Sequence, residues 1–259
     1  MIAALRGALG FFTRIPVGRD EAAWEAFARA PWTFPVVGYL VGALAAVPLV
    51  VAAVGPVPDA TVALGVVLVV YALTGITHLD GVADLGDAAV VHGDADDRRE
   101  VMRDSSLGVG GTLALVCVVA GLLTGALGVA GVATATGDGG LLAAVVLVIA
   151  AEVGARAATG VVVCAGDAAH AGLGSTLTAA STPRDALPVV AVALPAVVLG
   201  WPRPEPAVVA LLAALATAAA LQRWAARRLG GVSGDVLGAT TETARVAALQ
   251  AGVIVWTLS

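Results

Sequence analysis

The sequence predicts an all-α integral membrane protein that crosses a bilayer six or seven times. Of its 259 residues, 59% are hydrophobic and only 13% are charged, against roughly half and a quarter in an ordinary soluble domain. Several apolar runs approach the roughly 20 residues that a helix needs to cross a hydrocarbon core. Because these runs are continuous, they do not resemble the alternating strands of about 10 residues in a membrane β-barrel. We therefore expect one membrane-embedded helical domain over 1–259, with catalytic loops outside the bilayer.

Seven candidate spans follow one another along the chain. They are Pro35 to Val54, Ala60 to Thr77, Gly111 to Ala133, Leu141 to Cys164, Ala186 to Gly200, Pro206 to Leu221 and Ala244 to Leu258. The last three hold only about 15 apolar residues each, so tilted, fused or re-entrant segments would reduce the count to six. The segment before the first span lacks the order of a removable signal peptide and predicts an interfacial helix.

The arginines indicate how the chain is oriented. If all seven segments cross, only Arg203 lies on one side of the membrane, and eleven arginines lie on the other. The eleven are Arg6, Arg14, Arg19, Arg29, Arg98, Arg99, Arg103, Arg184, Arg223, Arg227 and Arg228. The positive-inside rule places that side in the cytoplasm, so we expect a multi-pass protein of the cell membrane with cytoplasmic polar loops.

Charge and cysteine content exclude other classes of function. The net charge is −5 and every basic residue is Arg, so no basic patch favours nucleic acid as a partner. Cys117 and Cys164 lie in or beside apolar segments, match no metal-ligand spacing and predict small buried hydrophobic side chains.

The densest chemical signal is a run of acids between His78 and Gly111, which holds eight of the 19 acidic residues. On a helix, Asp80, Asp84 and Asp87 fall within about 60° of one another, because their spacing is i, i+4, i+7. Three carboxylates on one face repel one another unless a cation lies among them, and oxygen ligands suit Mg²⁺. We therefore predict a magnesium site here. The acids that follow at positions 94–100 alternate with Arg98 and Arg99 and predict a solvated surface.

Three further patterns point to phosphate chemistry. The loop from Met102 to Gly111 ends in small residues at the start of a span, where backbone N–H groups can approach an anion. Asp235 and Glu242 share one face of a later helix, and either substrate binding or helix packing explains the small residues between them. Arg156 lies inside an apolar span, so it requires either Glu152 at i−4 or a substrate phosphate as its partner.

The ordered motifs resemble cobalamin synthase, the adenosylcobinamide-GDP ribazoletransferase family, nearly from end to end. They are TRIP at 13–16, TFPVVGYLVGA at 33–43, LTGITHLDGVADLGD at 73–87, MRDSSLGVGG at 102–111, GLG at 172–174 and GGVSGDVLGATTE at 230–242. The resemblance implies a Mg²⁺-dependent transferase that joins adenosylcobinamide-GDP to α-ribazole or its 5′-phosphate and releases GMP.

Site residues are assigned from these patterns and motifs together. Metal ligands are Asp80, Asp84 and Asp87, with Asp235 as a further ligand. Asp104 and Asp235 are alternative general bases, and His78 is a third catalytic candidate. The substrate-binding candidates are Arg14, Arg103, Ser105, Gly108, Gly110, Arg156, Gly234 and Glu242.

Two other functions remain open at this point. A CDP-alcohol phosphatidyltransferase also binds metal through an Asp-rich helix, but its motif order differs from the DGxxDxxD order found here. A cation transporter would place its acids near the middle of a span, whereas these acids lie at span ends. Membrane lipid is an expected partner, and homo-oligomer formation is left open.

Overall fold

The computed structural model describes residues 1–18, 20–135 and 139–259, and every regular element in these ranges is a helix. The first seven are α1 (Ile2–Phe12), α2 (Glu21–Ala28), α3 (Thr33–Ala45), α4 (Val47–Ala52), α5 (Asp59–Thr74), α6 (Thr77–Val90) and α7 (Ala95–Val101). The others are α8 (Val109–Ala135), α9 (Gly140–Ala165), α10 (Leu173–Ala179), α11 (Ala186–Ala193), α12 (Pro195–Val198), α13 (Glu205–Arg228) and α14 (Gly234–Leu258), with one 3₁₀ turn at Pro183–Asp185 before α11. The predicted all-α class is confirmed.

The lengths of the helices support a polytopic membrane protein. Among the described residues, four segments are long and apolar enough to cross a bilayer: α3 together with α4, then α8, α9 and α13. A fifth exists if α5 and α6, which meet at an angle of 98°, form one broken span. Since α14 is 25 residues long but carries three charged side chains, the predicted number of six or seven spans stays a prediction.

The helix α9 lies at the centre of the bundle and packs against α3, α13 and α14. Glycines on α3 allow the closest approach. A Cβ atom on Gly38 would lie 2.7 Å from the Val153 Cα, and one on Gly42 would lie 2.6 Å from the Ile149 Cα. Small residues at such crossings bring membrane helices together where a hydrophobic driving force between them is weak.

The N-terminal segment forms an aromatic cluster beside the bundle. The 11-residue helix α1 is too short to span, and its Phe12 is buried against Phe27 and Phe34. Arg6 of α1 pairs with Asp20 at 3.0 Å. Arg19, one of the eleven arginines in the topology prediction, lies outside the described residues.

The four acids of positions 94–100 are exposed, as predicted for a solvated surface, but the two arginines between them hold α7 against two other helices. Arg98 is buried and donates to the carbonyls of Ala88 and Ala89 at the end of α6. Arg99 donates to the Leu229 carbonyl, at the end of α13, over 2.6 Å. The terminal carbonyls of a helix lack partners within the helix and attract cations, so these arginines fix α7 to the bundle.

Candidate active site

A close crossing of α6 and α14 brings together two motifs that are more than 150 residues apart in sequence. A Cβ atom on Gly81 would lie 2.4 Å from the Asp235 carbonyl oxygen, and one on Gly238 would lie 3.2 Å from the His78 Cα. Only glycine fits at Gly81, because the contact is with backbone atoms. The crossing therefore places the start of α14 beside the acidic face of α6.

Four carboxylates surround this crossing. Asp80 is exposed, whereas Asp84, Asp87 and Asp235 are half-buried. With 14 residues and a turn of 98° from α5, α6 is not one of the long spanning helices. Partial burial, together with the negative charges of Asp235, Asp80 and Asp87, raises the pKa of Asp84 to about 6. The predicted crowding on one helix face is present, and Asp235 joins it from α14.

Asp87 has a role that the spacing did not predict. Its two carboxylate oxygens accept hydrogen bonds from the amides of Gly108 and Gly111, both at 2.8 Å. These amides belong to the first turn of α8 or directly precede it, where N–H groups lack partners within the helix. Asp87 thus caps α8 from a neighbouring helix, and its role as a metal ligand stays a prediction.

The same contacts change the interpretation of the glycine-rich loop. A Cβ atom on Gly108 would lie 2.3 Å from an Asp87 oxygen, and one on Gly110 would lie 2.4 Å from the Gly86 carbonyl oxygen. Both glycines are needed for packing between α6 and α8, and the Gly108 amide is already bonded to Asp87. Their predicted role in binding phosphate gains no support from this geometry.

The carboxylates are spread around the crossing rather than gathered at one point. Among the described side chains, no group of three or more His, Cys, Asp and Glu residues is close enough to hold a metal ion. The donor chemistry nevertheless fits Mg²⁺, since all four groups are carboxylates, and the charges of Asp235, Asp80 and Asp87 add to the effect of burial in raising the pKa of Asp84. Asp80, Asp84 and Asp235 would have to turn toward one another on binding.

A cavity of about 360 Å³ opens beside the carboxylates. Its lining includes predicted residues on two helices, His78 on α6 and Asp235 on α14, with Gly234 next to Asp235, and also His170, which was not predicted. Thr159 and Thr241 add hydroxyl groups, which lie 2.7 Å apart and bond to each other. Three predicted site residues, His78, Gly234 and Asp235, therefore line the same cavity.

Other predicted residues lie outside this lining. Arg103, Asp104 and Ser105 are exposed on the loop between α7 and α8, where the Asp104 carboxylate accepts bonds from Ser106 at 3.1 and 3.0 Å. Arg14 is exposed as well, and its amide donates to the Leu73 carbonyl at 2.7 Å. Its side chain lies against Gly75, which has a φ of +73°.

A buried ion network connects α9 and α14 behind the cavity. Arg156 pairs with Glu152, the first of the two partners that the sequence left open. Arg245 joins Glu152, at 2.6 Å, to Glu242. All four side chains are at most 2% exposed, so Glu242 lies in the protein interior rather than on an open groove.

Some buried polar atoms of this network have no hydrogen-bond partner among the described residues. Arg156 has no hydrogen-bond acceptor at Nε or Nη2, and the His78 Nδ1 lies 3.8 Å from an unpartnered oxygen of Glu242. Arg245 and Tyr71, whose hydroxyl lies 3.4 Å from Glu242, were not predicted. The signal for Arg245 was available, because a charge within an apolar run at membrane depth requires a partner.

Together, the apolar helical bundle and the cavity that Asp235 and His78 line at one of its ends are typical of a membrane-embedded enzyme. The sequence matches the family described as cobalamin-5-phosphate synthase over residues 4–253. The chain belongs to that family.

Curated relatives agree with the family match. The adenosylcobinamide-GDP ribazoletransferase of Halorubrum lacusprofundi is 66% identical over 99% of both chains. The enzyme of the same name from Haloquadratum walsbyi is 46% identical over the whole of both chains, and that from Methanocella arvoryzae is 31% identical over 99% of this chain and 97% of its own. No solved structure matches the chain.

Proposed function

We propose that the cavity between α6 and α14 is where the chain joins adenosylcobinamide-GDP to α-ribazole 5′-phosphate or α-ribazole. The chain is an adenosylcobinamide-GDP ribazoletransferase of cobalamin biosynthesis by its family and by relatives that it matches over its full length. The CDP-alcohol phosphatidyltransferase and transporter alternatives receive no support from these matches. The observation that carries the proposed location is the glycine crossing, which brings Asp235 to the acidic face of α6.

The reaction is a displacement at phosphorus. A ribose hydroxyl oxygen forms a bond to the cobinamide-side phosphorus, the bond from that phosphorus to the bridging oxygen breaks, and GMP leaves. The hydroxyl proton passes to a base. Asp235 is the better candidate for that base than Asp104, because Asp235 lines the cavity and Asp104 lies on the exposed loop. His78, which also lines the cavity, is the remaining candidate.

Asp80, Asp84 and Asp235 are the proposed ligands of Mg²⁺, and Asp87 adds negative charge beside them while capping α8. Bound Mg²⁺ would neutralise charge on the diphosphate and on the leaving GMP. Without it, four carboxylates beside an anionic substrate would repel that substrate. The proposal therefore explains why an anionic donor can bind at an acidic site.

The test is product formation in isolated membranes. Membranes holding the protein receive adenosylcobinamide-GDP with α-ribazole or its 5′-phosphate, with Mg²⁺ or with EDTA, and products are separated by chromatography. We expect a cobamide product only with Mg²⁺, and a loss of about 100-fold or more for Asp84→Asn. The matched control is Asp96→Asn, an exposed acid of α7. Full activity in EDTA, or of Asp84→Asn, would contradict the metal site while leaving the transferase activity intact.

We also propose that this end of the bundle faces the cytoplasm. The ends of α9 and α13 and the starts of α8 and α14 meet there, and all of the predicted cytoplasmic arginines within the described residues lie on elements or loops of that end. A cysteine placed at Asp96, in a Cys117→Ser background, should react with an impermeant thiol reagent only after the membrane is opened. Labelling from outside intact cells would reverse the orientation.

A further inference from the structure

The end of the bundle opposite the carboxylates contains a second cavity, of about 280 Å³, between α9, the start of α13 and the end of α14. Most of its lining is apolar, with Leu142 and Val146 from α9 and Trp256 from α14. Trp201 stands at its edge and is 75% exposed. Arg203 is the charged residue of this lining.

A third cavity lies further along α9 and α13, toward the middle of the bundle. Its volume is about 250 Å³ and its lining is entirely apolar, including Ala157 of α9, Val190 of α11 and Leu215 of α13. The linings of the two cavities cover positions 206 to 215 of α13, a length of roughly 14 Å at 1.5 Å per residue. Both cavities lie between α9 and α13, one further along these helices than the other, and we call the two together the α13 seam.

The shortness of α11 and α12 explains why this seam is open. The two helices contain 8 and 4 residues, and together they rise roughly 18 Å, against roughly 36 Å for the 24 residues of α13. They therefore cover only part of α9 and α13. Leu194 and Leu212 border the seam and are 54% and 59% exposed, as expected of residues that face acyl chains.

Arg203 gives the seam a polar end. Its guanidinium lies 4.6 Å from the centre of the Trp256 ring and donates to the Ser259 hydroxyl at 2.9 Å. It forms no ion pair with the described carboxylates, including Glu205 two residues away. Every other arginine of the described residues lies at the carboxylate end or inside the bundle, so Arg203 is the arginine that the described part of this end presents.

We propose that the α13 seam binds one membrane phospholipid, with the phosphate on Arg203 and an acyl chain along α13 between α9 and α11. The free donors of Arg203 match a phosphate, Trp201 and Trp256 suit the membrane interface, and the two cavities of the seam have mostly apolar linings. This site is separate from the carboxylate cavity and does not depend on the proposed reaction.

The test is native mass spectrometry of the full chain in detergent after delipidation, with titration of dioleoyl-phosphatidylglycerol. Dioleoylglycerol, which has the same chains without the phosphate, is the headgroup control. We expect one tightly held phosphatidylglycerol per chain, with affinity reduced about tenfold in Arg203→Gln, since a charged donor to the phosphate is lost. Ala143→Phe, which fills the outer cavity, should block binding, whereas Arg228→Gln at the opposite end should bind as the unchanged protein does.

Three results would overturn the proposal. Equal binding of phosphatidylglycerol and dioleoylglycerol would show that the site does not recognise the phosphate. Equal losses in Arg203→Gln and Arg228→Gln would indicate general attraction of anionic lipid. A doubling of mass with no lipid retained would mean that a second copy of the chain covers the seam. Transferase activity in the same detergent reports folding of each variant, and Arg203→Gln keeps the test decisive if Ala143→Phe does not fold.

Discussion

The replacement of Asp87 by Asn distinguishes a capping residue from a metal ligand, because it keeps the size of the side chain and removes its charge. In the structure each Asp87 oxygen accepts one amide hydrogen bond, from Gly108 and from Gly111. An Asn side chain has only one acceptor oxygen. Its NH₂ group would face the other amide, leaving two donors in contact.

The expected cost follows from these two bonds. Loss of a hydrogen bond to a charged group costs about 1.5–3 kcal/mol, and loss of a negative charge at a helix N-terminus adds about 0.3–1 kcal/mol. Relief of repulsion from Asp84 offsets part of this sum, and the side chain is only half-buried. We therefore expect a net loss of about 2 kcal/mol, or roughly 4–8 °C in melting temperature for a chain of this size.

The measurement is thermal unfolding in detergent with EDTA, so that no bound metal contributes. Asp84→Asn is the matched control, since it also removes one carboxylate from α6 but accepts no amide bond in the structure. It should leave the melting temperature unchanged or raise it. The capping role would be refuted if Asp87→Asn were as stable as the unchanged protein, or if the two variants lost equal stability.

Three more predictions follow from the described contacts. Arg245→Met removes the cation shared by two buried glutamates, so unfolding in denaturant should show a loss of about 3–5 kcal/mol; unchanged stability would contradict the network. In the folded protein the pKa of Asp84 is raised from 3.8 to about 6, so folding favours the protonated carboxyl. This contribution to the stability of the folded state is complete below pH about 4 and is lost as pH rises through about 6. Melting temperatures in EDTA should fall over that window, and Asp84→Asn should flatten the slope. Arg98→Gln should lower stability by about 1–3 kcal/mol while Asp96→Asn is nearly silent, and the reverse order would mean that α7 is not held by its arginines.

Composition and local spacing were sufficient for the fold class and for the acidic face of α6. Apolar runs constrain which segments enter the bilayer, and a spacing of i, i+4, i+7 defines a helix face wherever the helix packs. Neither depends on partners elsewhere in the chain. The association of Asp235 with that face was likewise predicted, from the chemistry of diphosphate transfer and from the resemblance to a family.

Contacts between distant segments could not be predicted in the same way. Asp87 is 21 residues from Gly108, and Arg99 is 130 residues from Leu229. In both cases a charged side chain on one helix forms hydrogen bonds with the terminal backbone groups of another helix. The sequence shows that such groups need partners, but only the packing of α6, α7, α8 and α13 decides which side chain reaches them.

The buried ion network also bears on how the active site is positioned. Ion pairs in an apolar interior are not a strong source of stability, because apolar residues of equal volume often replace them without loss. The ion pairs instead fix the position of the helices that they join. Glu242 lies seven residues, or roughly 10 Å, beyond Asp235 on α14, and the bond between Arg245 and Glu152 fixes α14 against α9. A shift of α14 along its axis would break that bond. It would also bring a different residue of α14 to Gly81, where a Cβ atom on Gly81 would lie only 2.4 Å from the Asp235 carbonyl oxygen. The network and the glycine crossing therefore select one register of α14, and that register sets where Asp235 meets the carboxylates of α6.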